Sequence, residues 1–178
     1  DKIRDTLLGI EGYFASKYFE CLRKKMTFER RERHSDNLFN ILLNYGYGIL
    51  YNEIERACII SGLDHYLGFL HTDRYGKPCM TLDLIEEFRQ PIVDRAVITL
   101  FSLNKIGEDF IKNVENNSML SDKGRRKILE VVIGRLNKKI KYKNKRLSFK
   151  QIILEQARSI VRFLLDDKEN YEPFICRW

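Results

Sequence analysis

The sequence predicts an all-α fold, a compact domain of about six or seven helices, on three observations. Only 3 Pro and 10 Gly interrupt its 178 residues. Between them run long segments whose apolar residues recur every three or four positions, the period that lines one face of an α-helix. No convincing apolar–polar alternation of a half-buried strand is visible. A chain of this length, 44% hydrophobic and 32% charged, can also bury a sizeable core beneath a charged surface.

From about Lys2 to Lys25, the residues Leu7, Leu8, Ile10, Phe14, Tyr18 and Leu22 form the first helical stripe. Ser35 and Asp36 supply N-cap chemistry for a second helix. In it Leu38, Ile41, Leu42, Tyr45, Ile49 and Ile60 keep helical spacing, and Gly62 stands where a C′ residue belongs. The stretch from Leu63 to Pro78 contains Gly68, Gly76 and Pro78 and reads as a loop. A short helix is expected over Thr81 to Phe88, and Pro91 suits the first turn of another that reaches about Asn104. A polar break from Glu115 to Asp122 separates a larger front lobe from a basic rear pair of helices, without marking a domain boundary. Ser121 opens the next helix, which carries Ile128, Val131, Val132 and Leu136. Ser148 with Gln151 forms a capping box for the last, where Ile153, Ala157, Ile160, Val161 and Leu164 share a face.

Thirty-two Lys and Arg against 25 Asp and Glu give a net charge of +7, which favours an anionic partner, nucleic acid first. The longest apolar runs have six residues or fewer, far below the roughly 18 that span a bilayer, so no membrane partner is expected. Asp1-Lys2-Ile3-Arg4-Asp5 has neither an initiating Met nor the apolar core of a signal peptide, so the chain reads as a piece of something longer. Cys21, Cys58, Cys79 and Cys176 are widely spaced with no Cys-x-x-Cys pair. They read as reduced thiols of a cytoplasmic protein, not as a zinc site.

Three places can carry chemistry. Glu11 sits among apolar and small residues beside Gly12, whose cost of roughly 1 kcal/mol within a helix is usually accepted for close packing or a ligand. Asp83 and Glu86 are spaced i, i+3 on a helix that Leu82, Leu84, Ile85 and Phe88 make mostly apolar. Such an acidic pair needs a cation, either an Arg (Arg89 or Arg95) or a metal. His71 closes an apolar run, whereas His34 lies in a charged stretch and His65 in the same loop as His71. A lone loop His is more often an ordinary hydrogen-bonded residue than a ligand. Two carboxylates and an imidazole would suit Mg²⁺ or Mn²⁺, and beside a basic surface they point to phosphodiester chemistry.

Four long signatures then carry a resemblance. Glu11-Gly12-x-x-Ala15-x-x-Tyr18-Phe19, Asn44-Tyr45-Gly46-Tyr47-Gly48-Ile49-Leu50, Gly62-Leu63-Asp64-x-Tyr66-Leu67-Gly68-Phe69-Leu70-His71 and Leu82 to Arg95 occur in that order, followed by Tyr171-x-Pro173-Phe174-x-x-Arg177-Trp178. The set resembles the CRISPR-associated adaptation integrase and endonuclease, the first-numbered Cas protein, from Glu11 to Trp178. The resemblance implies a metal site of Glu11, His71 and Glu86, with Asp83 as an alternative ligand. Tyr45, Tyr47 and Arg89 would lie beside it. The β-rich N-terminal domain of that family has no counterpart here, so residues 1–178 are expected to be the helical catalytic domain of a longer chain.

Further implications follow from the resemblance. They are joining of the 3′-hydroxyl of spacer DNA to CRISPR repeat DNA by transesterification, a homodimer of the longer parent, and a companion adaptation protein. Phosphate contacts are expected from Arg30, Arg31 and Arg33. Others are expected from Arg125, Arg126 and Lys127, and from the run Arg135, Lys138, Lys139, Lys141, Lys143, Lys145 and Arg146. Two alternatives remain: a homologous transposase or nuclease of a mobile element, and a non-catalytic helical DNA-binding module whose carboxylates are only ion-paired.

Overall fold

A computed structural model gives the fold and describes residues 2–24, 26, 28, 30–32, 36–71, 76–114, 117–167 and 169–176. Six α-helices dominate it: α1 (Lys2–Arg23), α2 (Leu38–Ile60), α3 (Cys79–Ile85), α4 (Arg95–Ser102), α5 (Asp122–Asn137) and α6 (Phe149–Leu164). The all-α expectation holds, with an addition. Two antiparallel hairpins are present, β1 (Ile111–Val114) with β2 (Asn117–Leu120), and β3 (Lys139–Tyr142) with β4 (Lys145–Ser148). Each strand has four residues, too few for alternation to stand out in the sequence. In the second hairpin Ile140 pairs with Leu147 and Lys141 with Arg146, so an apolar face packs inward and a basic face turns out.

Helix α2 is the centre of the core. Leu42, Leu43, Leu50, Ile54 and Cys58 are wholly buried, and α3, α5 and α6 pack around it. Its N-cap is Asn37, whose side chain accepts from the Phe39 N–H at 2.9 Å. Asp36, expected to cap, accepts from the Ser118 N–H instead, and Ser35 lies outside the described residues. Gly62 follows the helix at φ +79°, the left-handed conformation of a C′ residue. Ser121 caps α5, and Ser148 with Gln151 closes the capping box of α6.

The expected helix after Pro91 is reorganised. Arg89–Asp94 form a π-helical turn ahead of α4. Pro91 has no N–H to give, and the Arg95 N–H reaches back to the Gln90 carbonyl, five residues away. That wide turn leaves the Pro91 carbonyl free, and the Arg135 guanidinium donates to it through Nε (3.1 Å) and Nη2. Arg135 also lies over the Phe149 ring, 5.1 Å from its centroid. It is half-buried, and burial pulls its proton affinity down. Within the basic run it is therefore a packing residue.

The segment 169–176 is strapped across α6. The Glu87 carboxylate accepts from Tyr171 Oη (2.6 Å), the Phe174 N–H (2.9 Å) and Gln156 Nε2 (3.1 Å). Phe174 stacks on Phe88 with centroids 5.1 Å apart. Arg177 and Trp178 lie outside the described residues.

Candidate active site

A cleft of about 850 Å³ opens between α1, α2 and the turn that follows α3. Glu11 and Tyr18 face it from α1, Asn44 and Tyr47 from α2, and Glu86, Arg89 and Asp94 from beneath. Gly46 lets α2 approach its floor, since a Cβ there would lie 2.6 Å from Val93 Cγ1. Gly12 meets nothing within 4 Å, so the close packing considered for it is absent.

Glu86 sits just past the last residue of α3 and pairs with Arg89. Burial raises its carboxyl above the ordinary range, opposed by Arg89 and reinforced by Glu11. His71 is near enough to pull it down, and Asp94 to push it up. Glu11 and Glu86 thus line one cleft, whereas His71 does not line it and acts on the Glu86 carboxyl only through its charge.

Asp83 does not share their face. Its Oδ1 accepts from the His71 N–H (3.0 Å) and lies 2.7 Å from His71 Nδ1, while Oδ2 accepts from the N–H groups of Phe69 (2.5 Å) and Leu70 (3.0 Å). Four contacts fill the lone pairs of one carboxylate, so the i, i+3 pair is split: Glu86 serves the cleft and Asp83 the loop. Gly68 makes this closure possible, because a Cβ there would meet the Cys79 backbone at 2.7 Å and Asp83 Oδ2 at 2.8 Å. With Nδ1 engaged, Nε2 is the ring nitrogen left for a ligand.

Beneath the cleft lies a charge network centred on Asp94, a residue to which the sequence alone assigned no role. Asp94 is 1% exposed and accepts from Tyr47 Oη at 2.5 Å. Burial raises its carboxyl, and Tyr47, Tyr18, Arg31 and Arg89 oppose that. Burial and Asp94 push the hydroxyls of Tyr18 and Tyr47 far above the ordinary tyrosine range. Arg31 donates to Asn40 Oδ1 (3.1 Å), Asn44 Oδ1 (2.6 Å) and the Glu32 carbonyl (2.7 Å), and lies over the Tyr47 ring. The signal for Asp94 was present: a carboxylate between Ile92-Val93 and Ala96-Val97 is the context that singled out Glu11.

Tyr47 belongs to the cleft, but Tyr45 is exposed and does not line it. An adjoining pocket of about 570 Å³ is lined by Phe19, Arg23, Arg30 and Arg31. The other predicted phosphate contacts lie elsewhere. Arg125, Arg126 and Lys127 occupy the first turns of α5, with Arg125 near Asp122 and Lys127 paired to Glu130. Lys138, Lys139, Lys141, Lys143, Lys145 and Arg146 lie at or beyond its other end, roughly 20 Å away at 1.5 Å per helical residue. All six are exposed, and Lys143 also reaches Glu172. Arg33 and His34 lie outside the described residues.

Among the described residues no three His, Cys, Asp or Glu side chains stand close enough to share an ion, and the cation on Glu86 is Arg89. The donor types nevertheless suit a hard divalent cation: two carboxylates, one of them half-buried, and an imidazole oriented by a carboxylate through its other nitrogen.

Fold and site together define a mostly helical domain with carboxylates and guanidinium groups lining one cleft. The profile of the family "CRISPR associated protein Cas1" matches residues 2–133. The chain belongs to the Cas1 family. It is 36% identical over its whole length to "CRISPR-associated endonuclease Cas1 1" of Archaeoglobus fulgidus, covering 54% of that protein. Among solved structures it resembles a casposase bound to integration product, with a TM-score of 0.89, 33% identity, and 95% of this chain aligned to 50% of the other. It shares its fold with part of a Cas6-RT-Cas1–Cas2 complex, with a TM-score of 0.85, 23% identity, and 98% of this chain aligned to 20% of the other. The chain spans about half the length of the curated relatives it matches first.

Proposed function

We propose that this chain is the catalytic domain of a divalent-metal-dependent DNA integrase and endonuclease of CRISPR adaptation. The observation that carries the reading is the cleft itself, where Glu11 and Glu86 face Arg31 and Arg89, with His71 close enough for its charge to act on the Glu86 carboxyl. Glu11, His71 and Glu86 would hold Mg²⁺ or Mn²⁺, which when bound supplies Lewis-acid stabilisation of charge on phosphoryl oxygens. Asp83 fixes the His71 ring and its loop, and Arg31 offers a fixed guanidinium to a phosphate. In the joining reaction a 3′-hydroxyl oxygen bonds to phosphorus as the target strand's 3′-oxygen leaves and takes a proton. One phosphodiester replaces another, so no activated co-substrate is needed. Water in place of the 3′-hydroxyl gives nuclease activity.

The substrates in this reading are spacer DNA and CRISPR repeat DNA, double-stranded and branched. The longer parent acts as a homodimer with a companion adaptation protein in the cytoplasm. No helix among the described residues is long and apolar enough to cross a membrane. The likeness to a casposase favours a second reading, a mobile-element integrase, which a preference for CRISPR repeat DNA over other targets would separate from the first.

The test uses the full-length parent with Mn²⁺, a 3′-hydroxyl oligonucleotide and supercoiled DNA. Wild type should join them, and His71→Ala should abolish joining while DNA binding persists. Full strand transfer by His71→Ala would show that the site is misassigned.

A further inference from the structure

Two guanidinium groups share the Tyr47 ring, and they are held differently. Arg31 is fixed by hydrogen bonds to three oxygen acceptors. Arg89 stands over the same ring, 5.3 Å from its centroid, and among the described residues its one ion pair is with Glu86. Its Nε is buried with no hydrogen-bond partner, an unspent donor inside the cleft. The ring beneath it is fixed in turn, since Tyr47 Oη is held by the buried Asp94.

The carboxylate that Arg89 occupies is also one that the proposed metal site requires. A guanidinium and a divalent ion a few ångströms apart repel in a partly buried site, so each weakens the other's hold on Glu86. A guanidinium displaced from Glu86 remains over Tyr47 with its donors open, and it belongs to the residue type best matched to a phosphodiester. The wide π-helical turn from Arg89 to Asp94 places both residues on the cleft side.

We propose that Arg89 is a resident counter-cation with two stations: it neutralises Glu86 until a divalent cation takes that carboxylate, and it then turns its guanidinium onto a phosphodiester in the cleft. The inference rests on the metal-dependent reading above. It makes the cleft respond in order, with phosphate contact at Arg89 favoured only after metal has entered. It also implies that the protein's own side chain sets the metal affinity.

Mn²⁺ titration of the full-length protein without DNA, followed by electron paramagnetic resonance of free Mn²⁺, reads the first station. Arg89→Gln should bind Mn²⁺ more tightly than wild type, on the order of tenfold. Affinity for a 3′-hydroxyl-ended duplex, measured with saturating Mn²⁺, reads the second and should fall several-fold. Arg89→Met keeps the aliphatic contact with Tyr47 and carries the same expectations if Arg89→Gln does not fold. Unchanged or weaker Mn²⁺ binding by a folded variant overturns the proposal, and so does tighter Mn²⁺ binding with unchanged DNA affinity. A different result overturns the underlying metal reading: no Mn²⁺ binding by wild type, or binding that Glu86→Gln and His71→Ala leave untouched.

Discussion

Asp83 accepts from three consecutive backbone N–H groups and from an imidazole, and its side chain is only 13% exposed. Its removal should therefore cost more than removal of the His71 ring it orients. Asp83→Ala leaves three amides without their acceptor, those of Leu70 and His71 part-buried, and should lower stability by about 2 kcal/mol. His71→Ala removes one of the four contacts and should lower it by less. Urea denaturation of both variants checks this, and an equal or reversed order would mean that the loop does not depend on Asp83. The same bookkeeping explains why sequence spacing misread the residue. An i, i+3 relation places two carboxylates near one face, but the glycine-gated loop claims Asp83 through its hydrogen bonds.

At the scale of elements, the helices were legible wherever apolar periodicity and cap chemistry agreed, as in α5 and α6, while α2 was legible from its periodicity although its cap is Asn37. They were illegible where one missing N–H changes the hydrogen-bond pattern. Pro91 reads as a helix opener, yet it sits inside a π-helical turn whose spare carbonyl is satisfied from α5. That partner is 44 residues away, and no local signal announces it. Arg135→Ala should destabilise the fold by about 1–3 kcal/mol, because it leaves the Pro91 carbonyl unpaired in a packed region. Thermal or urea unfolding measures it, and a variant as stable as wild type would place Arg135 among ordinary surface cations. Of the proposed site, Glu11, His71 and Glu86 stood out as polar residues in apolar company. Asn44, Tyr18 and Tyr47 appeared within the family-like signatures, but which of them turn inward was settled by packing.

Across the molecule, three clusters of basic residues among the described residues lie apart: the Arg23–Arg30–Arg31 pocket beside the cleft, the start of α5, and the outer face of the β3–β4 hairpin. A duplex crossing the hairpin would be held by Lys139, Lys141 and Arg146. Replacing all three by Ala should weaken DNA binding evenly across sequences. It should also reduce the slope of log affinity against log salt by roughly three, at about 0.9 per lost phosphate contact. Fluorescence anisotropy at several salt concentrations gives the slope, and an unchanged slope would remove the hairpin from the DNA path.

Helix α1 has no buried residue along its 22 positions, although Phe19 and Leu22 rest against the core. It nevertheless carries Glu11. One third of the proposed metal-binding triad therefore rides on an element whose departure would cost the core little, so the free energy that assembles the site is separate from the free energy that keeps the chain folded. A cooperative melt reports the second quantity and is blind to the first. Amide exchange along Lys2–Arg23 reports the first, the fraction of molecules with Glu11 held at the cleft.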